Sequence, residues 1–169
     1  MLEDVLDYAV PRIPVSAGAL LWDEHGRLLI LKPTYKAGWT VPGGQIEEFG
    51  ESPWQGCQRE VFEETGLEIS GGQLICIDFR PPKSPRPDGS ERPGGLRLLF
   101  DCGVVDPSPS RPLVLDEEEI EDHRWVEPSE AEDLLSRPVR RRVRRAVAVM
   151  ATGGGTIYLE DGRPVDGVG

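Results

Sequence analysis

The chain has no long apolar run: nowhere do 18 or so consecutive apolar residues occur, so no spanning helix is expected. Aromatics are few, at 7%. Cysteine is scarce too: Cys57, Cys76 and Cys102 are odd in number, widely spaced and without a C-x-x-C pair. That excludes a disulfide framework and a thiolate metal site, and the three read as small buried thiols of a reducing compartment. The two histidines, His25 and His123, lie far apart, so a histidine metal centre is not expected. Positive charge is in deficit, with 19 Lys and Arg against 30 Asp and Glu, a net charge of −11. Phosphate polymers would be repelled unless cations mediate the contact. The opening "MLEDVLDYAV" lacks the basic-then-apolar pattern of a signal peptide, and the protein reads as cytoplasmic.

What is there suits a globular domain: 169 residues, 38% hydrophobic and 29% charged. Residues 13–22 and 27–32 read as a hairpin turned at "DEHG", and 73–80 and 96–105 as further strands. Residues 81–95 form a long loop rich in proline and glycine, and a short strand ends at Val126. "PSEAEDLL" opens a helix that Ser129 would cap. A second helix, broken off by Pro138, carries an apolar stripe of Val139, Val143, Ala146, Val147 and Met150. The arginines of "RRRVRR" read as its solvated face. "TIYLEDGRPV" reads as a closing hairpin. The pattern predicts an α/β sheet with helices on its faces.

The best-marked helix spans about 53–65. Ser52 and Gln55 form a capping box, Pro53 suits the first helical position, and Gly66 suits the left-handed stop. Before it, "TVPGGQIEEFGE" is rich in turn residues. The helix carries three acids in five residues. At about 100° per residue, Glu60, Glu63 and Glu64 share one face about 100° wide, beside an apolar stripe of Trp54, Cys57 and Val61. Two carboxylates about 6 Å apart repel by roughly 3 kcal/mol at an effective dielectric of about 20. Such a face is either solvated or holds something positive. Arg59, four residues before Glu63, is one candidate, and a hard divalent cation is another.

Residues Gly43 to Leu67, "GGQIEEFGESPWQGCQREVFEETGL", resemble the signature of Nudix hydrolases. From Glu51 the match is complete: seven residues, then Arg59, Glu60, Val61, Glu63, Glu64, Gly66 and Leu67. Gly44 and Glu51 are separated by six residues, one more than the signature has, within a loop that also holds Glu47 and Glu48. The similarity extends over about residues 13–136, leaving 137–169 as a C-terminal helix and hairpin of a single domain, 1–169.

The resemblance implies a Nudix-type α/β/α sandwich with a mixed β-sheet. It implies metal-dependent hydrolysis of a diphosphate linkage in a nucleoside di- or triphosphate derivative. Glu60, Glu63 and Glu64 would ligate Mg²⁺ or Mn²⁺, with the Gly43 carbonyl as a further oxygen. Arg59 would hold the glutamates, Gly44 and Gly66 would shape the loops, and Glu51 would be auxiliary. A later acid would serve as base or ligand: Glu119 is chosen, with Glu118 next. Arg80, Arg97, Tyr35 and Lys36 are the candidate substrate contacts, and Phe79 and Trp39 are weighed as stacking faces but favoured as packing. The expected partner is a small-molecule nucleotide. No membrane partner and no organic cofactor are expected, nucleic acid is disfavoured except for a capped RNA end, and a homodimer is left open. The alternative is a Nudix-like module that senses a nucleotide without cutting it. All the box glutamates are present, which favours the enzyme.

Overall fold

The structure, a computed structural model, describes residues 12–47 and 50–168. The decamer "MLEDVLDYAV" and Glu48 lie outside the described residues. Eleven elements follow in order: β1 (Val15–Trp22), β2 (Leu28–Pro33), β3 (Gly43–Gln45), α1 (Pro53–Thr65), β4 (Gln73–Arg80), β5 (Gly95–Val104), β6 (Ile120–Val126), α2 (Pro128–Leu134), α3 (Arg137–Ala151), β7 (Ile157–Glu160) and β8 (Arg163–Pro164).

The strands form one mixed sheet in the order β6-β2-β1-β5-β4-β7-β8. The β1/β5 and β4/β7 pairs are parallel and the other pairs antiparallel. β3 pairs with the first half of β1, Gly18 opposite Gly43 and Ser16 opposite Gln45, while β2 meets β1 at Trp22. The segment read from sequence as a turn therefore contains a three-residue strand. Its backbone groups are paired because β2 leaves that side of β1 free.

Alternation along β1 assigns the two faces. Ala17, Ala19 and Leu21 pack with Leu29, Leu31, Cys57 and Val61 under α1. Leu20, with Leu28, Ile30, Ile75 and Leu99, packs against Val143 and Ala146 of α3 and Ala131 of α2. The sheet thus lies between α1 and the α2/α3 pair, a helix–sheet–helix sandwich. Val139, Val147 and Met150 pack against the same core, as the stripe of α3 predicts. Among the described residues no helix is long and apolar enough to cross a membrane.

Local chemistry sets the ends of α1. The Gln55 N–H donates to Ser52 Oγ at 3.1 Å, and the Ser52 N–H donates to Gln55 Oε1 at 2.9 Å. At the other end Gly66 takes φ +70°, and its N–H donates to the Phe62 carbonyl at 2.8 Å. One detail differs from expectation. Glu127, not Ser129, is the N-cap of α2, with no side-chain cap bond. Pro128 occupies the first turn, and proline holds the residue before it extended, so the helix starts ahead of Ser129. Pro138 lies in the first turn of α3 and marks it off from α2, as the sequence predicts.

The stop at Gly66 is sterically demanding: a Cβ there would sit 3.2 Å from the Val114 Cβ, on a backbone that L side chains seldom adopt. Gly66→Ala is expected to cost about 1–2 kcal/mol. Ser52→Ala is expected to cost about 1 kcal/mol through the lost cap. Equilibrium urea unfolding measures both. A Gly66→Ala protein as stable as wild type would show that the left-handed stop does not set the end of α1.

Candidate active site

The pairing of β3 with β1 lays a glycine backbone directly over α1. The Gly43 N–H donates to Glu64 Oε2 at 2.8 Å. Gly43 has φ +143°, and a Cβ on it would lie 2.4 Å from the Ala17 carbonyl oxygen. A Cβ on Gly44 would lie 2.3 Å from Glu60 Oε1. Only glycine allows this approach. Glu60 and Glu64 are consequently buried, at 8% and 3% exposure, whereas half of the Glu63 side chain meets solvent.

Arg59 is the hub beside them. Its Nε donates to Glu51 Oε1 at 2.8 Å and Nη2 to Glu51 Oε2 at 3.1 Å, a two-pronged pair. Nη1 donates to Glu60 Oε1 and to Glu63 Oε2, each at 3.0 Å, and Nη2 also reaches the Gln45 carbonyl at 3.0 Å. The Glu51 hydrogen bonds, then Glu60, hold the guanidinium above its ordinary pKa. The same bonds hold the Glu51 carboxyl below the usual range. The box arginine thus ties the loop before α1 to the helix.

The buried glutamates remain under-compensated. Burial raises the Glu60 pKa, Arg59 opposes the rise, and Glu63 and Glu47 add to it. Burial pushes Glu64 up to about 8; the Gly43 N–H opposes this, while Glu60 and Glu119 reinforce it. Among the described residues, no group of three or more His, Cys, Asp or Glu side chains is arranged to hold a metal ion as it stands. In this arrangement Arg59 bonds to both Glu60 and Glu63. The donor set is nonetheless all hard oxygen and short of positive charge, which fits a small divalent cation better than a soft metal.

These carboxylates line an open pocket of about 680 Å³. Glu119, Tyr35, Lys36, Arg80 and Arg97 line it as well, together with Gly43, Gly44 and Glu47. The candidate residues, drawn from six separate segments of chain, therefore meet around one space. Arg59 and Glu51 stand behind the wall. Of the two acids considered before β6, Glu119 reaches the pocket and Glu118 does not. The Glu118 carbonyl accepts from Thr34 Oγ1 at 2.8 Å, and the Glu119 carbonyl accepts from the Thr34 N–H at 2.8 Å, so this loop is pinned beside Tyr35. Trp39 belongs to the core at 8% exposure, with the Arg124 guanidinium 4.8 Å from its ring centroid, and Phe79 does not line the pocket.

Sequence reasoning missed Asp78 and Arg142. Arg142 of α3 lines the same pocket as the glutamates, and its Nε lies 3.0 Å from Asp78 Oδ2. The two side chains are 13% and 2% exposed, so Arg142 is not part of a solvated arginine face. Its buried Nε donates no hydrogen bond. Asp78 also accepts from the Gly162 N–H at 2.8 Å, which ties the pair to the closing hairpin. Burial lowers the Arg142 pKa and raises that of Asp78, each opposed by the other's charge. A sequence signal did exist: Asp78 interrupts the apolar run of β4, and Arg142 falls one helical turn after Val139 on the apolar stripe.

Known proteins resemble this chain. A MutT-like protein of Streptomyces ambofaciens is 36% identical over 67 residues, 40% of this chain and 43% of that protein. An RNA pyrophosphohydrolase of Blochmanniella floridana is 33% identical over 63 residues, 37% of this chain and 39% of that protein. The match therefore spans less than half the length of either relative. The crystal structure of a MutT protein from Methanosarcina mazei Go1 shares the fold, with a TM-score of 0.64 at 24% identity, over 83% of this chain and 96% of that one. The NUDIX domain model matches residues 12–147, which include the glycine strand, the glutamate helix and Glu119. By that match the chain belongs to the Nudix family.

Proposed function

We propose that this chain hydrolyses a diphosphate linkage in a nucleoside diphosphate linked to another group, or in a nucleoside triphosphate. The observation that carries this is the meeting of opposite charges in one pocket: Glu60, Glu63, Glu64 and Glu119 line it together with Lys36, Arg80, Arg97 and Arg142. Glu60, Glu63 and Glu64 would hold Mg²⁺ or Mn²⁺, with the Gly43 carbonyl as a further oxygen donor. When bound, the ion supplies Lewis-acid stabilisation of the charge that develops on the phosphate oxygens.

The chain's own groups do the remainder. Lys36, Arg80 and Arg97 orient the phosphates by charge-assisted hydrogen bonds. Tyr35, 67% exposed at the pocket mouth, offers a ring face to a base. Water attacks one phosphorus, the bond from it to the bridging oxygen breaks, and Glu119 takes the proton of the attacking water. Arg59 positions Glu60 and Glu63 and touches no substrate. The products are two phosphate-ended molecules, one of them a nucleotide. The MutT-like and RNA pyrophosphohydrolase relatives are consistent with diphosphate chemistry.

A phosphate-release screen tests this over nucleoside triphosphates, nucleotide sugars, dinucleoside polyphosphates and ADP-ribose, with Mg²⁺ or Mn²⁺. Glu63→Gln and Glu64→Gln are each expected to lower kcat by about 100-fold or more. Hydrolysis surviving both changes would place the reaction elsewhere, and tight nucleotide binding without turnover would favour a sensor.

Metal binding has its own readout. At about 100 times its Kd, Mg²⁺ should stabilise the protein by about 2.7 kcal/mol, a rise of several degrees in Tm. Glu60→Gln together with Glu64→Gln should abolish that rise. An equal Mg²⁺-induced shift in the double variant, by scanning calorimetry, would remove these glutamates from the metal site.

A further inference from the structure

The basic side of the pocket does not end at Arg80 and Arg97. Those two arginines and Gln45 also line a second concavity, of about 380 Å³, which adjoins the first. Its rim comes from the 81–95 loop and adds Lys83, Arg86 and Arg92. Five cations thus face one small space, opposed there by the single carboxylate of Glu91, in a chain whose net charge is −11. Among the described residues none of the five is in an ion pair. Arg97 donates to the Leu96 and Gly94 carbonyls, and Arg86 donates to Ser90 Oγ at 3.2 Å. Burial and the neighbouring Arg80 lower the pKa of Arg97, opposed by the charge of Asp78.

The loop that carries them is an ordered arm. The Lys83 N–H donates to the Arg92 carbonyl and the Arg86 N–H to the Ser90 carbonyl, each at 2.9 Å, so two chain segments run side by side to a tip at 87–89. Prolines 81 and 93 stiffen its base beside Arg80 and Gly94. The backbone that carries the cations is therefore ordered before an anion arrives, which removes that part of the entropic cost of binding.

We propose that this arm and the basic side of the catalytic pocket form one continuous track for a chain of phosphates, and that the substrate carries phosphoanhydride-linked phosphates beyond the diphosphate that is cut. The assignment rests on the hydrolase reading above for the position of the cut. An anhydride chain concentrates charge in little volume, which matches five cations around about 380 Å³. An oligonucleotide brings about one charge per residue together with a base that needs a stacking surface. No Phe, Tyr or Trp lines the second concavity. A nucleotide with a long phosphate tail fits both observations.

The test compares wild type with a Lys83→Gln, Arg86→Gln, Arg92→Gln triple variant, whose changes fall on exposed or half-buried side chains of the arm. Three substrates are used: ADP-ribose, diadenosine hexaphosphate and a 5′-triphosphorylated oligoribonucleotide. For diadenosine hexaphosphate kcat/KM should fall about tenfold or more, through KM, and less steeply with added salt than in wild type. For ADP-ribose it should change less than about twofold. Equal changes on both, or a loss confined to the oligoribonucleotide, would overturn the assignment. Binding of inorganic tripolyphosphate in EDTA, by calorimetry, separates the track from the chemistry. Wild type should bind at least about tenfold more tightly than the triple variant even if no diphosphate is hydrolysed. Equal tripolyphosphate affinity would remove the track whatever the enzyme cuts.

Discussion

Two carboxylates buried against a glycine backbone govern this structure. Ionised groups with so little exposure are unfavourable unless other groups hold them. Glu64 is held by the Gly43 N–H and Glu60 by Arg59, and neither contact discharges the pair. Much of the local architecture serves this conflict. The capping box fixes where α1 begins, β3 replaces β2 alongside β1 so that two glycines can descend on the helix, and Arg59 clamps Glu51 to the helix from behind. Loosening any of these would let the glutamates move out to water, which is where carboxylates otherwise belong.

Charge extends the same theme across the pocket. In an acidic chain the cations are the informative residues, and several of those without an acidic partner converge in the pocket that the glutamates line and along the 81–95 arm. Arg142 differs in being paired to Asp78 in the interior. That pair joins α3, β4 and the closing hairpin through the Gly162 N–H, so the late part of the chain contributes to the pocket wall.

Local signals were legible where their physics is local. Ser52, Pro53, Gln55 and Gly66 mark the ends of α1 because capping bonds span only a few residues. The stripe of α3 assigned its buried face correctly, since that periodicity reflects one packing partner. Ser129 misled because proline at 128 governs the backbone more strongly than a hydroxyl that only caps. Gly43 to Gln45 misled because three residues with two glycines have no strand propensity of their own, and the pairing comes from β1.

The sequence by itself determined the spacing of the Nudix box, the shared face of its three glutamates and the stripe that turns them inward, because all three follow from helical periodicity within one segment. Only the tertiary structure decided which glutamates are buried, that Glu119 and not Glu118 reaches them, and that Arg142 lies in the interior with Asp78. It also decided that the arm after β4 adjoins the pocket. Each of these depends on residues distant in the chain, and burial is a property of what packs above a side chain and not of the segment that carries it.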